Sequence, residues 1–216
     1  VSRPRDDTPD FSRETTPPHL AIALIAAGVG CAAVSIAALG AFSVPTLVSL
    51  GVGDGAAASI FAGASAIAVI SRLTTGWITD RRGHTSLTGI ALIVGASAGG
   101  VVLLAVPVPA VASIGLAIAL SLGWGWPTAL YPVVMRYWSQ AAARTTGFVS
   151  IGTSAGASVG PVVFGVVVAS RGYSAAWAAT GVLSLCAAAF LIAAQHTMTG
   201  HGPRTPAPAT TIEAHE

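Results

Sequence analysis

Between residues 15 and 203 the chain carries only eight charged side chains: Asp54, Arg72, Asp80, Arg81, Arg82, Arg136, Arg144 and Arg171. Six apolar blocks lie in that stretch: Leu20–Phe42, Ala56–Ile78, Leu87–Val106, Ala110–Val134, Thr146–Ser170 and Ala175–Ala194. Each is about 20 residues long, the length of a helix that crosses roughly 30 Å of hydrocarbon. Lipid offers no partner to a backbone N–H or C=O, so a spanning segment must satisfy its own hydrogen bonds. The alternating ten-residue pattern of a membrane β-barrel is absent from the sequence. The expected fold is therefore all-α, a polytopic membrane protein with six transmembrane helices.

Composition excludes the main alternatives. Charged residues make up 8% of the chain, against roughly 25% in a soluble domain. A soluble enzyme or a nucleic-acid binder of this size has too much surface to cover with so few charges. The pI near 8.9 reflects a net charge of only +2, not a basic patch. The basic residues are all arginine, and six spans place nine of them (Arg3, Arg5, Arg13, Arg72, Arg81, Arg82, Arg136, Arg144 and Arg204) on one side and Arg171 on the other. That asymmetry predicts that both termini are cytoplasmic in a multi-pass cell (inner) membrane protein. The far loops are short, Ser43–Gly55, Pro107–Pro109 and Arg171–Ser174, so sequential helices should be antiparallel neighbours.

Residues 1–18 form a polar tail or the remnant of a central loop, 19–195 the bundle, and 196–216 a Pro- and Thr-rich cytoplasmic tail; both tails read as disordered. Val1 and the linker-like first 18 residues look like an internal start. Cys31 and Cys186 fall inside spans and read as small packing residues. No metal ligand set, cofactor motif or phosphate-binding Gly-Lys loop is present, so neither a metal, a cofactor nor direct ATP drive is expected.

Three strings carry most of the information. The first is Gly76-Trp77-Ile78-Thr79-Asp80-Arg81-Arg82-Gly83-His84, expected in the loop between the second and third spans and preceded by Arg72. Asp80 is an acid among basics, and it makes sense opposite the positive amino end of a helix, near Thr145–Gly147. The second is Gly123-Trp124-Gly125-Trp126-Pro127-Thr128 with Tyr131 and Pro132. Such a run predicts a kinked or broken helix, which membranes tolerate only when it is packed in protein or faces a cavity. Trp124, Trp126, Thr128 and Tyr131 are thus the cavity candidates, although Trp124 and Trp126 cannot share one helix face. The third is Gly152, Gly156 and Gly160 followed by Pro161. Glycines four apart share a face and let backbones approach closely, and the proline adds a possible hinge. Within this string Gly152-Thr153-Ser154-Ala155-Gly156 imitates a nucleophile elbow, but every histidine lies at a span edge or outside. Without a base Ser154 reads as a packing residue and the chain as no enzyme.

Gly76-x-x-x-Asp80-Arg81-x-Gly83 resembles the signature loop of the major facilitator superfamily. The Gly123–Pro127 string and Gly156-x-x-x-Gly160-Pro161, followed by Gly172-Tyr173-Ser174-Ala175-Ala176-Trp177, are similar to its last three helices in order and spacing. The uncharged fourth span and the polar lead-in resemble the carboxy-terminal six-helix half. The resemblance implies a secondary active or facilitative transporter that moves a small solute by alternating access. It also implies that Arg72, Gly76, Asp80, Arg81 and Gly83 form a gating loop, and that the first and fourth helices line the cavity. The third and sixth helices would face lipid. The Gly152–Gly156–Gly160 face would lack its partner surface, because the other half, an amino-terminal six-helix unit or a second copy, is absent from the chain. The competing expectation is a non-transporting six-helix assembly or regulatory subunit. In either case the bilayer, not nucleic acid, is the surrounding partner.

Overall fold

The computed structural model describes residues 19–82, 86–137 and 142–199. Their regular structure is helical throughout: α1 (His19–Ser49), α2 (Asp54–Arg82), α3 (Leu87–Leu103), α4 (Pro109–Gly123), α5 (Trp126–Tyr137) and α6 (Ala142–Thr199). By length and composition α1, α2, the α4–α5 pair and α6 are compatible with membrane spanning, with mean hydropathies of 2.4, 1.6, 1.4 and 2.0. α3 is a shorter apolar helix of 17 residues.

Local chemistry sets several of the boundaries. Ser86 caps α3 by accepting the Gly89 N–H at 3.1 Å, satisfying one of the amide groups that a helix start leaves without a partner. Pro109 opens α4, where its missing N–H costs nothing. At the other boundaries the helices run further than the hydropathy blocks. α1 continues through Pro45 to Ser49, so most of the expected Ser43–Gly55 loop shrinks to a tight turn around Gly51, whose φ is 90°. Likewise Gly76 to Arg82 belongs to α2 rather than to a loop, because no proline falls between Asp54 and Arg82.

α6 has 58 residues and would be about 87 Å long if straight. It is not straight. Gly172 has φ 81° and ψ 174°, a conformation essentially reserved for glycine. Gly28 of α1 abuts Ala187 and Leu191, while Gly30 abuts Gly152. Residues from both sides of Gly172 thus meet the same stretch of α1, so α6 is a hairpin with a first arm (142–171) and a second arm (173–199). One glycine performs the reversal assigned to an Arg171–Ser174 loop.

The contacts also give the direction of each segment. Gly152, Gly156 and Gly160 of the first arm meet Ala26, Gly30 and Val34 of α1, advancing four residues together, so the two run parallel. The second arm runs antiparallel to α1, where Ser184 meets Ser35 and Trp177 meets Thr46. It is antiparallel to α3 too: Gln195 lies at Leu87 and Gly181 at Val102. α2 and α4 run the same way, Ser71 beside Ser121 and Thr75 beside Gly125. The bundle therefore has alternating segments, with His19 and the end of α6 at the same end. Two core clusters follow. One, at the end holding the start of α1, contains Ile25, Leu87, Ile90, Leu130 and Leu191. The other, at the opposite end, contains Leu39, Leu47, Leu104, Leu116 and Trp177.

Candidate functional site

The clearest departure from regular structure inside an apolar segment is the break between α4 and α5. Pro127 has no N–H, so the Gly123 carbonyl loses its helical donor. The Gly125 N–H turns to Leu122 O at 3.4 Å instead of reaching Ser121 O. The Ser121 carbonyl would then lack a donor, and the Ser71 hydroxyl on α2 supplies one at 2.7 Å. Thr128 donates back to Gly125 O at 2.6 Å. Two carbonyls of the broken backbone, Ser121 O and Gly125 O, thus accept from side chains, one of them on a neighbouring helix, as an apolar setting favours. Thr75 flanks the same spot, its hydroxyl 3.5 Å from where a Cβ on Gly125 would sit.

The four cavity candidates do not converge. Trp124 points outward and is 37% exposed, whereas Trp126 is buried in the core. Tyr131 packs against the Trp126 cluster half-buried, and Thr128 is occupied with the Gly125 carbonyl. Trp126 lines a void of ≈ 10 Å³ together with Ala32, Ser35, Ser97 and Ser184. That is space for about one water molecule.

In the α2 string, Arg72 is exposed, Gly76 is half-buried with open space where a side chain would go, and Arg81 is exposed with its guanidinium 4.0 Å over the Trp77 ring. Gly83 and His84 lie outside the described residues, as do the side chains of Asp80, Arg82 and Arg136, and residues 1–18 and 200–216. The expected meeting of Asp80 with the start of α6 falls there too.

The Gly152–Gly156–Gly160 face differs from expectation. It was expected to await an absent partner, yet its partner is α1 of the same chain. A Cβ on Gly156 would lie on the Gly30 carbonyl, one on Gly152 on the Ala26 carbonyl, and one on Gly160 2.9 Å from Val34 Cα. Pro161 follows within the helix, half-buried, and Ser154 is exposed, on a different face from the seam. A second close crossing escaped the sequence reading: Gly100 and Gly115 bring α3 and α4 together, with a Cβ on Gly115 2.7 Å from Gly100 O.

Hydrogen bonds between distant helices were also missed. Ser35 and Ser184 share one at 2.7 Å, and Ser184 additionally donates to Thr180 O at 3.1 Å. The second arm and α3, expected to face lipid, expose Leu92, Val182 and Leu185 and bury Thr180, Ser184 and Ser97 on their inner faces. The available signal was a lone serine at mid-span in three separate blocks, because a hydroxyl in an apolar helix gains from a partner across the interface.

No family model matches the sequence, and no curated protein or solved structure matches it either.

Proposed function

We propose that the chain crosses the cell membrane six times, with both ends in the cytoplasm, and forms one half of a transporter of the major facilitator type. It would carry a small solute by alternating access, paired with an amino-terminal six-helix half or with a second copy. The observation that carries this reading is the break between α4 and α5. Discontinuous helices with satisfied but irregular backbone are what solute transporters place at their binding sites. Here Ser71, Thr75, Ser121 and the exposed Trp124 gather beside one. α2, which supplies the flanking hydroxyls, is also the least covered long helix: 17% of its apolar window is buried, against 44% in α1. The motifs around Asp80 and Gly156 support the same family. Arg72 follows Ser71 on α2 at the level of the break, so a charge on the solute would be met by Arg72 or by groups of the other half; otherwise the solute is neutral.

Two measurements test this. A reporter active only in the periplasm, fused after Glu216, should stay silent; strong activity would sink the topology. The full chain, purified in mild detergent and reconstituted in liposomes, should take up members of a panel of radiolabelled sugars, amino acids and organic acids only as a dimer or beside a co-expressed amino-terminal half. Saturable uptake by a monomer would overturn the half-transporter reading. The second reading is a non-transporting assembly or regulatory subunit, favoured by the failure of Trp124, Trp126, Thr128 and Tyr131 to converge on one cavity. No uptake in any of these arrangements would select it.

A further inference from the structure

The carboxy-terminal end of α2 carries an ordered stripe. Ile70, Leu73, Trp77 and Arg81 recur at three- and four-residue spacing, which places them on one helix face. All four are exposed, Leu73 at 70% and Trp77 at 54%. Along the axis they run from aliphatic, through aromatic, to cationic, over about 16 Å. That is close to one leaflet of a roughly 30 Å hydrocarbon core. A phospholipid presents its groups in the same order over the same distance: acyl chain, glycerol interface, phosphate.

The cationic end is shaped for a phosphate. Arg81 lies 4.0 Å over the Trp77 ring. The cation is held against the aromatic ring, and a guanidinium carries several in-plane N–H donors that bind phosphate oxygens in pairs. We infer that this stripe is a binding site for a single anionic phospholipid, whose headgroup is held by Arg81 and Trp77 and whose acyl chain lies along Leu73 and Ile70. The inference rests on the membrane-spanning reading but not on transport.

Full-length protein reconstituted in equal phosphatidylglycerol and phosphatidylcholine, then released from the bilayer for native mass spectrometry, provides the test. The wild-type chain should retain phosphatidylglycerol in preference to phosphatidylcholine. Arg81→Gln should reduce that preference about fivefold, the equivalent of about 1 kcal/mol for one arginine at the membrane surface. Trp77→Leu should roughly halve it. Arg171→Gln removes the same charge at the Gly172 end of the bundle and should change nothing. Equal retention of the two lipids, or an equal loss in Arg171→Gln, would overturn the proposal while leaving the membrane reading intact. Failure to reconstitute with either lipid would remove both.

Discussion

Replacing Gly156 with alanine is expected to lower the midpoint of thermal unfolding in detergent by about 5–10 °C, the shift that about 2–3 kcal/mol produces in a chain of this size. A Cβ at this position has nowhere to go, since it would fall on the Gly30 carbonyl of α1. Backbone on both sides cannot yield as a flexible side chain would, so the first arm of α6 and α1 must separate. Separation costs contacts along the whole seam, including those at Gly152 and Gly160, and overpacking of this kind costs about 1–3 kcal/mol or more. Gly63→Ala on α2 is the matched control. It adds the same methyl group on an exposed helix face with nothing within 4 Å. It should leave the midpoint unchanged or raise it slightly, because alanine is the better helix former by about 1 kcal/mol. Equal shifts in the two variants would show that the seam is not closed against α1.

The second large effect is expected at Trp177, which is fully buried near the Gly172 turn. Its ring meets Phe164 edge-on at 4.5 Å, and Phe164 in turn lies 4.6 Å from Phe42. Its indole N–H donates to Thr46 Oγ1 at 2.9 Å, while the Thr46 hydroxyl donates to Phe42 O at 2.6 Å. This cluster ties both arms of α6 to the end of α1. Trp177→Ala should cost about 3–5 kcal/mol through the cavity it leaves. Thr46→Val should cost about 1–3 kcal/mol, because it leaves a buried donor without an acceptor. Trp177→Phe should cost less than Trp177→Ala, since most of the packing survives and Thr46 keeps its bond to Phe42 O. Chemical or thermal unfolding of the three variants in one detergent checks the order. A Thr46→Val variant as stable as the parent would show that the hydrogen bond contributes nothing.

Much of the architecture was legible before any tertiary contact was known. Hydropathy over about 20 residues reports where a helix can sit in an apolar medium, because that is a local free energy of transfer. The break near Trp124 was legible for an equally local reason: Pro127 cannot donate to Gly123 O whatever surrounds it. Turn positions were less so. The first span is expected to end at Phe42, with Pro45 in a loop, yet α1 runs through Pro45 to Ser49, and the hinge of α6 falls on the single residue Gly172. Both outcomes depend on what the neighbouring helices allow.

Spacing alone showed that Gly152, Gly156 and Gly160 share a face, and that Trp124 and Trp126 do not. Which surface meets that glycine face, and which tryptophan turns inward, were decided by the packing of helices far apart in the chain. α1 took the position expected of an absent partner. Trp126 went to the core beside Ser35 and Ser184, and Trp124 to the outside. Ser71 found the Ser121 carbonyl 50 residues away, and Trp177 found Thr46 across 131. In lipid the apolar exterior of one helix is as acceptable as that of another, so hydrophobicity does not choose partners. Close backbone approach and scarce hydrogen-bonding groups choose them, and these act only once the helices are side by side.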